Sequence, residues 1–274
     1  MWLVKLAFGL ALAYAALVAV SYLVQTRILF PTGASGSTPD TLPPGAELTR
    51  IAMPDGVEIA ALRIAARSPA ATQPLILGFG GNAWNAASVA HLLHRLFPSN
   101  DVMAVYYRGY RPSGGRPSAK ALLADAVAVH DHLDAPQGIV AVGFSIGAGV
   151  AAHLAAERPV SGLLMVTPFD SLEALARHHY PWAPVGALLL NHIDTADYLR
   201  SVDAPVAIIT AQNDTIVPAA RSAPVRAAAK RLVHSTEIQG AGHNDLYDRP
   251  EFAEAMREAL QHLEAAKNPA YGRN

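Results

Sequence analysis

The stretch Gly143-Phe144-Ser145-Ile146-Gly147 constrains this chain more than any other. It follows the apolar run Gly138-Ile139-Val140-Ala141-Val142, which has the length and composition of a buried strand. After it come Ala148, Gly149, Val150, Ala151, Ala152, His153 and Leu154, small residues suited to a helix lying close against a sheet. Strand, G-x-S-x-G and helix together describe a sharp turn that lifts a serine hydroxyl clear of the sheet. A side chain at position 143 or 147 would crowd the neighbouring strand or helix in so tight a turn. Alone the pattern is weak, and the rest of the chain has to support it.

The flanking sequence does so. Val57–Ile64 alternates like an antiparallel strand behind the turn Pro54-Asp55-Gly56. Strand-like runs follow at 74–79, 101–107, 163–166, 206–209 and 233–238. Helical periodicity lies between them: Val89, Leu92, Leu93 and Leu96; Leu122, Ala126, Val129 and Leu133; Pro218–Lys230; and Phe252–Leu263. Such alternation predicts parallel βαβ units in one sheet. It lapses between Thr167 and Asp203, where short helices at 172–176 and 185–190 flank Tyr180-Pro181-Trp182, as in a cap insertion at about 168–203. One large domain suits the 274 residues.

The N-terminus has another character. Leu6 to Val24 is nineteen residues without a charge, roughly 28 Å as a helix against a hydrocarbon core of ~30 Å. A cleaved leader would need a small-x-small site at its end. Ala13-Tyr14-Ala15 has that form but lies in mid-run, so residues 1–25 are read as an uncleaved transmembrane anchor. Lys5 precedes the span and Arg27 follows it, so charge barely orients it; an extracytoplasmic catalytic domain is the expectation. Residues 26–47, Pro/Gly/Ser/Thr-rich from Pro31 to Gly45, form a linker, and residues 48–274 the catalytic domain.

Twenty-one Lys and Arg balance 22 Asp and Glu, which argues against a nucleic-acid footprint. The absence of cysteine excludes disulfides, thiolate metal sites and a cysteine nucleophile.

Two loops complete the chemistry. Asp214 follows the strand Val206–Ile209, and His243 follows the last strand, both on the edge where open α/β sheets place their sites. Ser145, Asp214, His243 is the chain order expected for this serine turn. A hydroxyl needs a base to become a nucleophile, imidazole titrates near neutrality, and a carboxylate orients it. The backbone amides of Ile146 and Asn82, the latter in Gly80-Gly81-Asn82, are placed to receive an oxyanion. Asp170, after the preceding strand, is the rival acid. Asp125 and Asp131 read as solvated or capping helix residues. The pairs His91/His94 and His130/His132 read as surface helix residues rather than metal ligands. Arg108, Arg111 and Arg116 read as solvated, with an anionic headgroup as the alternative partner.

With these residues in view, the chain from about residue 48 resembles the α/β-hydrolase superfamily of serine hydrolases. Within that superfamily it is most similar to the membrane-anchored, bud-emergence-protein-like branch, related to serine aminopeptidase-like domains. The resemblance rests on Gln25-Thr26-Arg27-Ile28-Leu29-Phe30-Pro31, Gly80-Gly81-Asn82-Ala83, Tyr107-Arg108-Gly109-Tyr110 with Ser113-Gly114, Gly143–Gly147, Asn213–Pro218 and Gly242-His243. It implies a mostly parallel eight-stranded sheet flanked by helices, with no metal or organic cofactor. The implied activity is hydrolysis of carboxylic esters or thioesters, with small-molecule or lipid-like acyl substrates. A peptidase or amidase, or a catalytically silent tethered binding protein, are the alternatives. One departure stands out: relatives have His-Gly-Asn in the oxyanion loop, and Gly80 stands where the histidine would be, so that loop is expected to lack a side-chain anchor.

Overall fold

The computed structural model describes residues 1–36, 45–67 and 73–266. A long helix, α1 (Trp2–Leu29), precedes eight strands that form one sheet. Along the chain these are β1 (Ala46–Ala52), β2 (Glu58–Ile64), β3 (Leu75–Phe79), α2 (Ala86–Leu96), β4 (Val102–Val105), α3 (Ala119–Asp131), β5 (Ile139–Phe144), α4 (Ile146–Glu157) and β6 (Gly162–Val166). Then follow α5 (Leu172–His179), α6 (Val185–Leu188), α7 (Thr195–Leu199), β7 (Val206–Ala211), α8 (Ala219–Ala228), β8 (Leu232–Ile238) and α9 (Pro250–Ala265).

The strand order is β1-β2-β4-β3-β5-β6-β7-β8. β1 pairs antiparallel with β2 and β2 with β4; every other neighbouring pair is parallel. The sheet is therefore mixed, with its parallel part carrying β5, β6, β7 and β8 side by side. β3, β5, β6 and β7 are buried at every residue, as expected of strands covered on both faces. Alternate residues of β5 divide between two cores: Ile139 and Ala141 pack with α3 and α4, and Val140, Val142 and Phe144 with α2 and α9.

The cap comprises α5, α6 and α7. Ser171 caps α5 by accepting from the Ala174 amide, and Asp194 caps α7 by accepting from Asp197. α7 packs against α4 and α8. The sequence shows no clear sign of α7, which is only five residues long.

At the N-terminus α1 runs past residue 25 to Leu29, and Phe30 is already buried in the core. Most of the Pro31–Gly45 stretch, residues 37–44, lies outside the described residues. The apolar part of α1 is not covered by the rest of the chain.

Three surface readings are corrected here. Asp125 is buried on α3 and paired with Arg108, itself buried, whose guanidinium also reaches Asp55. Arg108 is thus enclosed between two carboxylates and is not available to a ligand. His94 is buried on α2 and accepts a hydrogen bond from Arg67 Nε at 3.2 Å, because its position faces the sheet rather than solvent. Asp131 is at the surface, paired with Arg158.

Candidate active site

Ser145 sits between the last residue of β5 and the first of α4, with φ 53° and ψ −116°. A non-glycine residue in this region is strained, and the surroundings must hold it there. They do so through glycine. A Cβ on Gly143 would lie 2.2 Å from the Gly147 carbonyl oxygen, and one on Gly147 would lie 2.2 Å from that of Phe79. The Ser145 amide donates to Val166 O on the adjacent strand at 2.8 Å. Strand and helix thereby meet without slack, and the serine side chain stays partly exposed.

Asp214 follows β7 and His243 follows β8, so all three residues lie at the carboxyl ends of neighbouring parallel strands. His243 Nδ1 lies 2.7 Å from Asp214 Oδ2. The other carboxylate oxygen accepts from the amides of Ile216 (2.9 Å) and Val217 (2.6 Å). Their side chains are 3% and 10% exposed for Asp214 and His243 respectively. With Nδ1–H donated to the carboxylate, Nε2 is the basic nitrogen. Among the described residues, no hydrogen bond ties the Ser145 hydroxyl to His243; such bonds commonly tighten only with substrate present.

Asp170 has a different partner. Its Oδ2 lies 3.0 Å from Arg221 Nη1, and its Oδ1 accepts from the Ser171 amide.

The loop carrying His243 is clamped from below. Asp245 Oδ1 accepts from the Gly242 amide at 2.8 Å, and Arg249 reaches both Asp245 Oδ2 and Gly240 O at 2.7 Å. The Arg249 guanidinium and the Gly242 amide hold the Asp245 carboxyl below the usual carboxylate range.

The Gly80-Gly81-Asn82 loop is held although the histidine is missing. The Tyr107 hydroxyl donates to Gly80 O at 2.8 Å, the Trp84 amide to Gly81 O at 3.2 Å, and the Tyr110 hydroxyl to Asn82 O. Three successive carbonyls are thus fixed. Because a peptide is planar and trans, pinning Gly81 O also sets the direction of the Asn82 N–H. A Cβ at position 80 would meet Trp84 Cβ at 3.1 Å and Val89 at 3.0 Å. Trp84 occupies that space and packs on Phe144 (centroids 5.1 Å) and Tyr247 (4.5 Å). One aromatic cluster therefore ties together the Gly80-Gly81-Asn82 loop, the serine turn and the segment after His243. The Ile146 amide, the first in α4, has no acceptor inside the helix. The sequence reading missed Tyr107, Tyr110, Trp84, Tyr247 and the Asp245–Arg249 clamp. Only the Tyr107–Tyr110 motif gave a signal, and it did not reveal a role.

Surface cavities of about 200 and 290 Å³ lie at the amino ends of strands, beside Leu75 and Gly138 and beside Ser161 and Pro205, away from Ser145. Among the described residues, no group of three or more His, Asp or Glu is placed to hold a metal ion.

Comparison with known proteins agrees with this fold. No family model matches the chain. An uncharacterised protein of Mycobacterium tuberculosis (strain ATCC 25618 / H37Rv) is 36% identical over 248 residues, covering 86% of this chain and 87% of that protein. The lysophosphatidylserine lipase of Rattus norvegicus is 26% identical over 225 residues, 70% of this chain; the match spans 56% of the lipase. Among solved structures, an esterase from Pyrococcus furiosus superposes with a TM-score of 0.65 at 16% identity, covering 83% of this chain and 96% of that one. A bacterial membrane phospholipase A superposes with a TM-score of 0.61 at 18% identity, covering 97% of this chain and all of its own. At these identities the two structures establish the fold alone.

Proposed function

Because the chain belongs to the α/β-hydrolase superfamily, we propose that it is a membrane-anchored serine hydrolase cleaving carboxylic esters or thioesters of lipid-like acyl groups. The observation that carries the reading is the 2.7 Å contact of His243 with Asp214 at the sheet edge that also presents Ser145.

In this reading His243 Nε2 takes the Ser145 proton as Oγ attacks the acyl carbonyl. The Ile146 and Asn82 amides receive the oxyanion. The bond from carbonyl carbon to leaving oxygen or sulfur then breaks, and His243 returns the proton to that atom. Water, deprotonated by the same imidazole, attacks the acyl-enzyme and releases the acid and Ser145. Asp214 stabilises the imidazolium formed in each half. Every proton donor and acceptor in this sequence is a side chain or amide of this chain, or water.

The lipid-like preference draws on α1, which is long and apolar enough to cross a membrane, and on the lipase and phospholipase among the similar proteins. An extracytoplasmic site remains part of the proposal. The test uses the full-length chain in detergent micelles with lysophospholipids, p-nitrophenyl acyl esters, acyl thioesters and aminoacyl amides. Turnover of esters or thioesters, lost in Ser145→Ala, is expected. Turnover of amides alone would make it a peptidase, and none at all in folded protein would make it a binding protein.

A further inference from the structure

We propose that the cap segment from Tyr180 to Leu190 is a second membrane element, immersed in the bilayer beside α1. The proposal rests on the reading of α1 as an anchor and adds to it where the catalytic domain sits.

Depth is the first argument. The Tyr14 hydroxyl donates to Trp182 O at 2.9 Å, and the Gln25 side chain donates to Leu188 O (3.0 Å) while accepting from the Leu190 amide (2.9 Å). Tyr14 and Gln25 are eleven residues apart on one helix, roughly 16 Å along its axis. Tyr14 lies near the middle of the Leu6–Val24 run. If that run fills the hydrocarbon layer, a chain segment bonded to Tyr14 extends well into the same layer.

Composition is the second. From Tyr180 to Asn191 no residue carries a charge, and the nearest charges, Arg177 and Glu173 of α5, pair with each other against Gly186. Tyr180, Trp182 and Leu190 are 47%, 42% and 55% exposed. Large apolar side chains exposed together beside a bare apolar helix suit lipid better than water.

Backbone satisfaction is the third. In hydrocarbon every backbone polar group needs an internal partner. Pro181 and Pro184 have no amide hydrogen to satisfy. The carbonyls of Tyr180, Ala183, Pro184 and Val185 accept from amides of the segment itself, and those of Trp182 and Leu188 accept from the anchor. The Trp182 and Gly186 amides have no such partner among the described residues, so these bonds relieve part of the segment's desolvation.

Asn191 closes the junction: its Nδ2 donates to Thr26 Oγ1 and its Oδ1 accepts from the Ala119 amide at the start of α3. Anchor, cap and hydrolase core are thus locked together. At its other end the cap touches the acid loop, where His179 Nε2 lies 2.8 Å from the carbonyl oxygen of Ile216, the residue whose amide holds Asp214. The cap thus bridges the anchor and the Asp214 loop.

The chain has no cysteine, so single thiols report position directly. Full-length Trp182→Cys, Leu190→Cys, Leu10→Cys in the anchor and Glu58→Cys on the domain surface would be reconstituted in phosphatidylcholine vesicles and treated with a water-soluble maleimide. The expected result is loss of labelling at positions 182 and 190 as at position 10, with position 58 labelled, and recovery of all four in denaturant. Free labelling at 182 and 190 with position 10 protected would overturn the proposal and leave the anchor standing. Free labelling at position 10 as well would overturn both.

Discussion

His243 Nδ1 lies 2.7 Å from Asp214 Oδ2, whereas the other acid on this edge, Asp170, lies 3.0 Å from Arg221 Nη1. The pairing separates two carboxylates that the sequence leaves as rivals. Asp214→Asn should lower kcat by about 10⁴-fold, because the imidazole loses its orienting partner. Asp170→Asn should leave kcat nearly unchanged and cost at most about 1 kcal/mol of stability, its ion pair being only partly buried. Steady-state ester hydrolysis with thermal melts of both variants checks this.

Tyr110→Phe removes the hydroxyl that holds Asn82 O. The expected effect is a fall in kcat of about tenfold, or ~1.4 kcal/mol at the transition state, with KM little altered. Tyr107→Phe, which frees the buried Gly80 carbonyl, should in addition cost about 1–3 kcal/mol of stability. An effect on KM alone would assign these tyrosines to substrate binding instead.

Gly147→Ala tests the serine turn. Its Cβ would fall 2.2 Å from Phe79 O and 2.5 Å from Gly80 O, both backbone atoms. Destabilisation of at least about 3 kcal/mol is expected, which lowers the unfolding midpoint by roughly 6–12 °C.

Arg108→Met strands Asp125 in the interior. Breaking such a pair costs about 3–5 kcal/mol, and Arg108→Met combined with Asp125→Leu should recover much of it. Melting temperatures of the single and double variants decide whether the pair is structural; wild-type stability in Arg108→Met would contradict it.

Burial holds the imidazoles of His94, His153 and His234 below the ordinary histidine range, with Arg67 and His91 adding to the effect at His94 and His262 at His234. These groups fold neutral and charge more readily when unfolded. Their contribution is full above the unfolded pKa of about 6.5 and is lost as pH falls through and below it. Melting temperature should therefore drop between pH 7.5 and 5.5, and a His153→Gln variant should drop less.

Much of this was legible in the chain. The serine turn announces itself because glycine is the only residue its packing admits at 143 and 147, and the apolar runs leading to Ser145, Asp214 and His243 put all three on one edge. The support of the Gly80-Gly81-Asn82 loop was not legible. Gly80 looks like a lost anchor, but Tyr107 and Tyr110 replace it across some 27 residues of sequence. The burial of Asp125 depends on Arg108, 17 residues away, and the contact of Tyr14 with Trp182 spans 168. Local periodicity carries no record of such partners. The comparisons support the α/β-hydrolase superfamily; the bud-emergence-protein-like branch is a finer resemblance than they reach.

The most direct test of the central claim is labelling of the full-length chain by a fluorophosphonate, followed by peptide mapping of the adduct. A phosphonylated Ser145, absent in Ser145→Ala and strongly slowed in His243→Ala and Asp214→Asn, is the predicted result. Folded wild type that resists the probe, or an adduct on another residue, would contradict it.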